Sequence, residues 1–540
     1  MRKAKQAILL SACLTLGCAA PNQDAKLHPA PVLVIATTAD PDALFPPVAL
    51  NTQSSQITEL IYEYLADVGP SMNTIGDAGF TKELATGWTW SSDSLSIAFH
   101  LDQKARWHDG APVTAKDVAF TFGVYTDTLV ASSEAAGFEE IDSVTVRDAS
   151  TPVFWFHRRT PHEFFDAAAK MLILPEHLLG AIPRRALKSR ASAATPIGSG
   201  RYRFSQWRHG SSVELAADST NHRGAPQIRR VIWTITPEYN SALTKLLGGE
   251  ADVFDALRPE AVAQIAARKD IRLITLPGMD YAFMAFNLRD PRHNKSPHSI
   301  FGSREVRRAL TMALDRHSMV RNLFDTLGSV GIGPVVRAQP TTDTSLIQIP
   351  YNVAAATRTL DSLGWTRGPD GVRVKNAIRL SFTLLVPVSS ETRVRIAVLI
   401  QEQLKKVGVE AKIEQMDYAA FSERQQSRKF DCLLAAWHLG SGFGSLRDTW
   451  STNAAKPGRG MNYGGYSNPQ FDILVDSALS ARTMPGARAY LRRANQIIID
   501  DAPAIWLYEP RTVIGIRAGI ETPPMRPNAW WLDIGSWTRR

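Results

Sequence analysis

Three cysteines are all that the 540-residue chain contains, and two of them, Cys13 and Cys18, lie within its first eighteen positions. Cys432 therefore has no partner elsewhere in the body, which excludes a disulfide-stapled scaffold and leaves it as an inert core thiol. Outside the N-terminus no apolar run reaches the roughly 20 charge-poor residues that a membrane-spanning helix needs. Metal-ligand spacing is also missing. The twelve histidines are dispersed, and "HEFFD" from His162 places Asp166 where a zinc helix requires its second histidine. The glycine-rich stretches "IGSGR" and "GSGFGS" match neither a nucleophile elbow nor a phosphate loop. Adjacent acids such as Glu139-Glu140 and Asp500-Asp501 do not face one another in regular structure, so they read as solvated charge. Neither a catalytic centre nor a cofactor is expected.

The chain has little charge clustering. Its 61 Lys and Arg exceed its 52 Asp and Glu, for a formal charge of +9. The basic residues occur as scattered pairs such as Arg158-Arg159 and Arg492-Arg493, without a nucleic-acid motif, so the expectation is a solvated basic surface and no nucleic-acid partner.

What is present begins with "MRKAK", a positive segment, followed by the apolar "QAILLSACLTLG" and the polar exit "CAAPNQD". This is the pattern of an export signal. "LTLGC" resembles a bacterial lipobox ending at the lipidated Cys18. "LLSAC", ending at Cys13, is nearer the usual spelling but leaves too short an apolar core. A signal over 1–18, a lipid on Cys18 and a tether over 19–31 are expected, giving a lipoprotein held at the outer face of a bacterial membrane or in the periplasm.

Length favours two or three domains. "VLVIATTAD" reads as an opening strand, and "DSVTVRDASTPVFWFH" and "RYRFSQWRHGSSVELAAD" as hairpins. Beyond about Tyr281 longer helices alternate with strands. "SREVRRALTMALDR" starts at a Ser303 cap with Glu305 behind it, and "SSETRVRIAVLIQEQLKKVG" runs from a Ser390 cap to Gly408. Flanked by "AIRLSFTLLVP" and "VEAKIEQMD", the second helix forms a βαβ unit with parallel pairing. Two α/β textures joined by more than one crossover suggest lobes with a ligand cleft between them.

The most specific stretch is "IAFHLDQKARWHDGAPVTAKDVAFTF", in which Thr114 caps a helix with Asp117 at its third position. With its F-x-L strand and W-x-D-G-x-P-V-T-A-x-D-V spelling it resembles the signature of the extracytoplasmic solute-binding proteins of family 5. "LATGWTW", "REVRRALTMALDR", "FDCLLAAW", "MNYGGYSNPQFDILVDSA" and "AIWLYEP" follow the family's order, so the likeness runs from about Val32 to the C-terminus.

That resemblance implies an α/β fold of the two-lobed periplasmic-binding-protein kind (type II, cluster C). Lobe one would hold 32–280 and 501–540, with an inserted subdomain at about 57–194, and lobe two would hold 281–500. It implies a monomeric, non-enzymatic, extracytoplasmic binding protein that passes a peptide or other small solute to an ABC permease and its ATPase. A sensor for a membrane receptor and a secreted enzyme are the alternatives. In peptide-binding relatives the strand matching "FDCLLAAW" ends in a Trp, with an Asp three residues on that pairs with the peptide's ammonium. Here Trp437 matches the Trp and Gly440 stands in place of the Asp. Ligand contacts are expected from Trp437, His438, Gly440, Tyr418, Tyr281, Asn51, Gln53 and Arg447. The anchor expectation has a direct test: Cys18→Ser should move the protein from the membrane pellet to the soluble fraction, and continued sedimentation with membranes would contradict it.

Overall fold

The computed structural model describes residues 31–540 except 133, 294 and 457–458. Cys13, Cys18, the signal and the tether up to residue 30 lie outside the described residues. Among those residues, no helix is long and apolar enough to cross a membrane.

Two large mixed sheets organise the chain. In the seven-stranded sheet Val32–Thr37 lies parallel to Arg230–Ile235 on one side and to Val253–Phe254 on the other. This central strand is apolar on both faces because both are covered. Leu33 and Ile35 join the core shared with the inserted subdomain, while Ala36 faces the helices Tyr239–Gly248 and Pro259–Ala266. The hairpin Tyr202–Arg208/Ser212–Ala217 extends one edge, as the sequence suggests. The subdomain carries its own antiparallel sheet of Ala85–Trp90, Ser96–Leu101, Thr151–Phe156 and Ile141–Asp148. Thr114 and Asp117 form the expected capping box of the helix Ala115–Tyr125, and Trp107 is fully buried beneath it. The most recognisable motif of the sequence is thus a packing motif.

The second sheet contains Ser381–Pro387 and Glu410–Met416 in parallel, joined through the helix Glu391–Lys406, which is the expected βαβ unit. Ser303 and Ser390 accept the backbone N–H groups of Val306 and Arg393 as helix caps, and Gly408 takes the positive φ that ends its helix. At the sheet centre Asp280–Phe286 pairs with Cys432–His438 and Ala504–Pro510. Cys432 is buried, and that burial pushes its thiol well above the usual range.

Sheet membership sharpens the lobe boundaries. The helix Thr52–Ile61 runs unbroken through position 57, where the insertion was expected to start. Ala504–Pro510 belongs to the second sheet, so the return to the first falls at Arg511 rather than 501, immediately before Thr512–Arg517 pairs with Ile271–Leu276. The chain therefore crosses between lobes twice, at 277–279 and 510–511. The crossings touch: a Cβ added at Gly278 would overlap the Pro510 carbonyl oxygen. Two backbones in contact cannot relieve such a clash by rotating a side chain. Gly278→Ala should cost about 3 kcal/mol in urea unfolding followed by tryptophan fluorescence; an unchanged midpoint would show that the crossings are not constrained there.

Candidate functional site

Between the lobes lies a cleft of about 1010 Å³. Its lobe-one wall begins with the helix Thr52–Ile61, whose Thr52, Ser55 and Glu59 recur at helical spacing along the cleft side while Ile57, Leu60 and Ile61 face the core. Further wall comes from the subdomain at 158–170 and the C-terminal segment at 528–532.

Lobe two contributes the stretch "AAWHLGSGFGSLRDTW", which is a strand end, a six-residue loop over 439–444 and the short helix Ser445–Trp450. The loop is tied down from both sides. Gln339 Nε2 donates to the carbonyls of Gly440 (3.0 Å) and Gly442 (3.1 Å) within lobe two. From lobe one, Asn528 Nδ2 donates to Ser441 Oγ at 3.0 Å, and the His162 ring meets Phe443 edge-on at 4.5 Å. Elsewhere Arg258 reaches Glu391 at 2.8 Å, and Ile75 of the subdomain packs into a lobe-two core cluster with Met279 and Val336. The lobes are thus in contact with one another at several points.

Of the eight residues expected to meet a ligand, His438, Gly440 and Arg447 line this cleft. His438 Nδ1 lies 3.2 Å from Asp280 Oδ1, and that hydrogen bond raises its pKa above the ordinary imidazole value. Nothing lies within 4 Å of a Cβ added at Gly440, so packing does not force the absence of an acid there. Arg447 stands 3.7 Å from Asp448.

The other five are placed elsewhere. Strand alternation sends Trp437 to the face opposite His438, where it is half-buried, stacks on Phe283 at 6.5 Å and borders a separate void of about 20 Å³. Tyr281 is buried in the same apolar layer, its hydroxyl accepting from Trp450 Nε1 at 3.2 Å. Tyr418 opens the helix Tyr418–Gln426 with its side chain exposed and off the cleft wall. Asn51 caps the helix Thr52–Ile61, accepting from Ser54 N and donating to the Asp40 carbonyl. Gln53 is one residue out of step with the cleft-lining stripe.

The charge of the cleft has no signal in the linear sequence. Eight carboxylates line it against four Lys and Arg, inside a chain that is basic as a whole. Asp166 pairs with Lys170 at 2.6 Å, Glu140 with Arg158, Asp448 with Arg447, and Asp67 with the buried Arg526 at 2.5 Å. Glu59 differs. Like Glu134, Glu139 and Asp476 it forms no ion pair among the described residues, but its oxygens accept from two neutral side chains, Tyr64 Oη (2.9 Å) and Trp531 Nε1 (2.7 Å). Burial raises its pKa above the carboxylate range, opposed by those two hydrogen bonds. Burial likewise lowers the pKa of His162.

Two α/β lobes, two crossings and a cleft walled from both sides define a two-lobed binding-protein fold. The family model described as bacterial extracellular solute-binding proteins, family 5 (middle) matches residues 79–454, and the chain belongs to that family. It is 27% identical over 549 aligned positions to the oligopeptide-binding protein AppA of Bacillus subtilis, covering 98% of this chain and 96% of that one. The solved structure of that AppA in complex with a nonapeptide superposes with a TM-score of 0.81 at 25% identity, covering 94% of this chain and 99% of the other. NikZ of Campylobacter jejuni, solved in complex with Ni(L-His), shares the fold with a TM-score of 0.80 at 22% identity, covering 95% and 100%.

The position of Trp437 carries a test of its own. Trp437→Ala should lower the stability of the solute-free protein by about 2 kcal/mol, since it empties half-buried space against Phe283. A midpoint unchanged by the substitution would place the ring outside the apolar layer.

Proposed function

We propose that the chain is the solute-binding lipoprotein of an ABC importer, anchored outside the cytoplasm through Cys18, which captures a peptide-like or other small solute between its lobes and presents it to a permease. The observation that carries this reading is the 1010 Å³ cleft walled by both lobes, with the loop 439–444 reached by Asn528 and His162 from the far side. A solute in that space touches both lobes at once. It therefore binds the closed arrangement more tightly than an open one, and that difference in affinity drives closure about the two crossings. No covalent step is required. The AppA likeness at 27% identity supports a peptide-like solute, and the lipobox-like "LTLGC" supports the anchor.

Protein purified without denaturation should carry a small-molecule adduct in native mass spectrometry. Unfolding and refolding should release it, and adding it back should raise the thermal midpoint in proportion to the logarithm of its concentration. A bare mass together with no thermal shift from any short peptide would contradict the reading, and turnover of an added substrate would replace it with an enzymatic one.

A further inference from the structure

Glu59 stands apart among the carboxylates of the cleft. It projects from the last turn of a helix whose other side is locked into the core by Ile57, Leu60 and Ile61, so its position is fixed by packing rather than by an ion pair. Each of its oxygens takes one neutral donor, Tyr64 or Trp531. A carboxylate has about four lone-pair sites, so acceptor capacity remains. Neutral donors orient the group without cancelling its charge.

Three of the four Lys and Arg lining the cleft are committed to other acids. Lys170 serves Asp166, Arg158 serves Glu140 and Arg447 lies beside Asp448. Arg159 forms no ion pair among the described residues, with Glu59 or with any other acid. Arg526 makes its direct contacts with Asp67 and the Val68 carbonyl, and only its more distant charge acts on Glu59. The wall thus presents an excess of negative charge to a space large enough for a solute, with an oriented acid that forms no ion pair among the described residues.

We propose that Glu59 is the counter-ion for a cationic group of the captured solute, an ammonium or a guanidinium, and that it sets the charge preference of the cleft from the lobe-one side. The inference rests on the solute-binding reading above. The oriented carboxylate receives the cation in a charge-assisted hydrogen bond, while Tyr64 and Trp531 hold it at its position on the wall. Gly440, facing the same cleft from lobe two, supplies no competing acid.

Three sets of tripeptides to pentapeptides test this by titration calorimetry against the mature protein. One set has free N-termini and no Lys or Arg, the second is the same peptides acetylated, and the third is acetylated peptides with a single Lys. At least one of the two charged sets should bind about tenfold to a hundredfold more tightly than the neutral set. The set that does so identifies the cation as terminal or side-chain. Glu59→Gln, which keeps an acceptor for Trp531, should abolish that advantage and leave affinity for the neutral set within about twofold, on the same physical basis. Neutral peptides binding the parent protein as tightly as charged ones would overturn the assignment whether or not the variant folds, and would leave the solute-binding reading intact. Retention of the charged-set advantage by a folded Glu59→Gln would overturn it too. No binding by any set would overturn both the assignment and the peptide-like reading.

Discussion

Backbone lies against backbone where the chain passes between the lobes. Gly278 and Pro510 approach so closely that no side chain fits between them, and the strands on either side carry the consequence into both sheets. Leu276 pairs with Thr512 in one sheet, and Ala282 pairs with Tyr508 in the other. Lobe one is therefore built from segments far apart in the sequence, and its sheet is complete only once both crossings are laid down, whereas the strands of the second sheet all lie between them. The same arrangement leaves two short connections as the joint about which the lobes can move, with the cleft opening beside it.

The electrostatics follow from what that cleft gathers. Charges scattered along a basic chain would ordinarily be solvated. Here four separated segments bring their acids onto one concave surface, where low-dielectric walls strengthen their combined field. Half of those acids are ion-paired with neighbours among the described residues. Glu59 is held by neutral donors, and its raised pKa reflects an anion that burial disfavours and the free protein does not fully compensate.

Much of the fold was legible because its signals are local. The Ser303 and Ser390 caps, the Thr114/Asp117 capping box and the parallel pair around the helix Glu391–Lys406 each depend on residues within about one element of one another. The motif around Trp107 was legible for the same reason, and the family resemblance followed from it. The site was harder to read because its walls come from residues near 55, 165, 440 and 530. Two physical rules account for the particular differences. Adjacent residues of a strand point to opposite faces, so Trp437 and His438 could not both face the cleft. An Asn at a helix N-cap spends its side chain on backbone groups, so Asn51 was already engaged. Glu59 carried a signal in its spacing from Thr52 and Ser55, legible only once that helix was placed on the cleft.

The central claim is that the two lobes clasp a solute between them. Small-angle X-ray scattering of the mature protein, stripped by unfolding and refolding and then given back the solute it co-purifies with, tests this most directly. The account predicts that the radius of gyration falls on adding the solute back, as the lobes close about the crossings at 277–279 and 510–511. A radius unchanged while the solute demonstrably binds would contradict it.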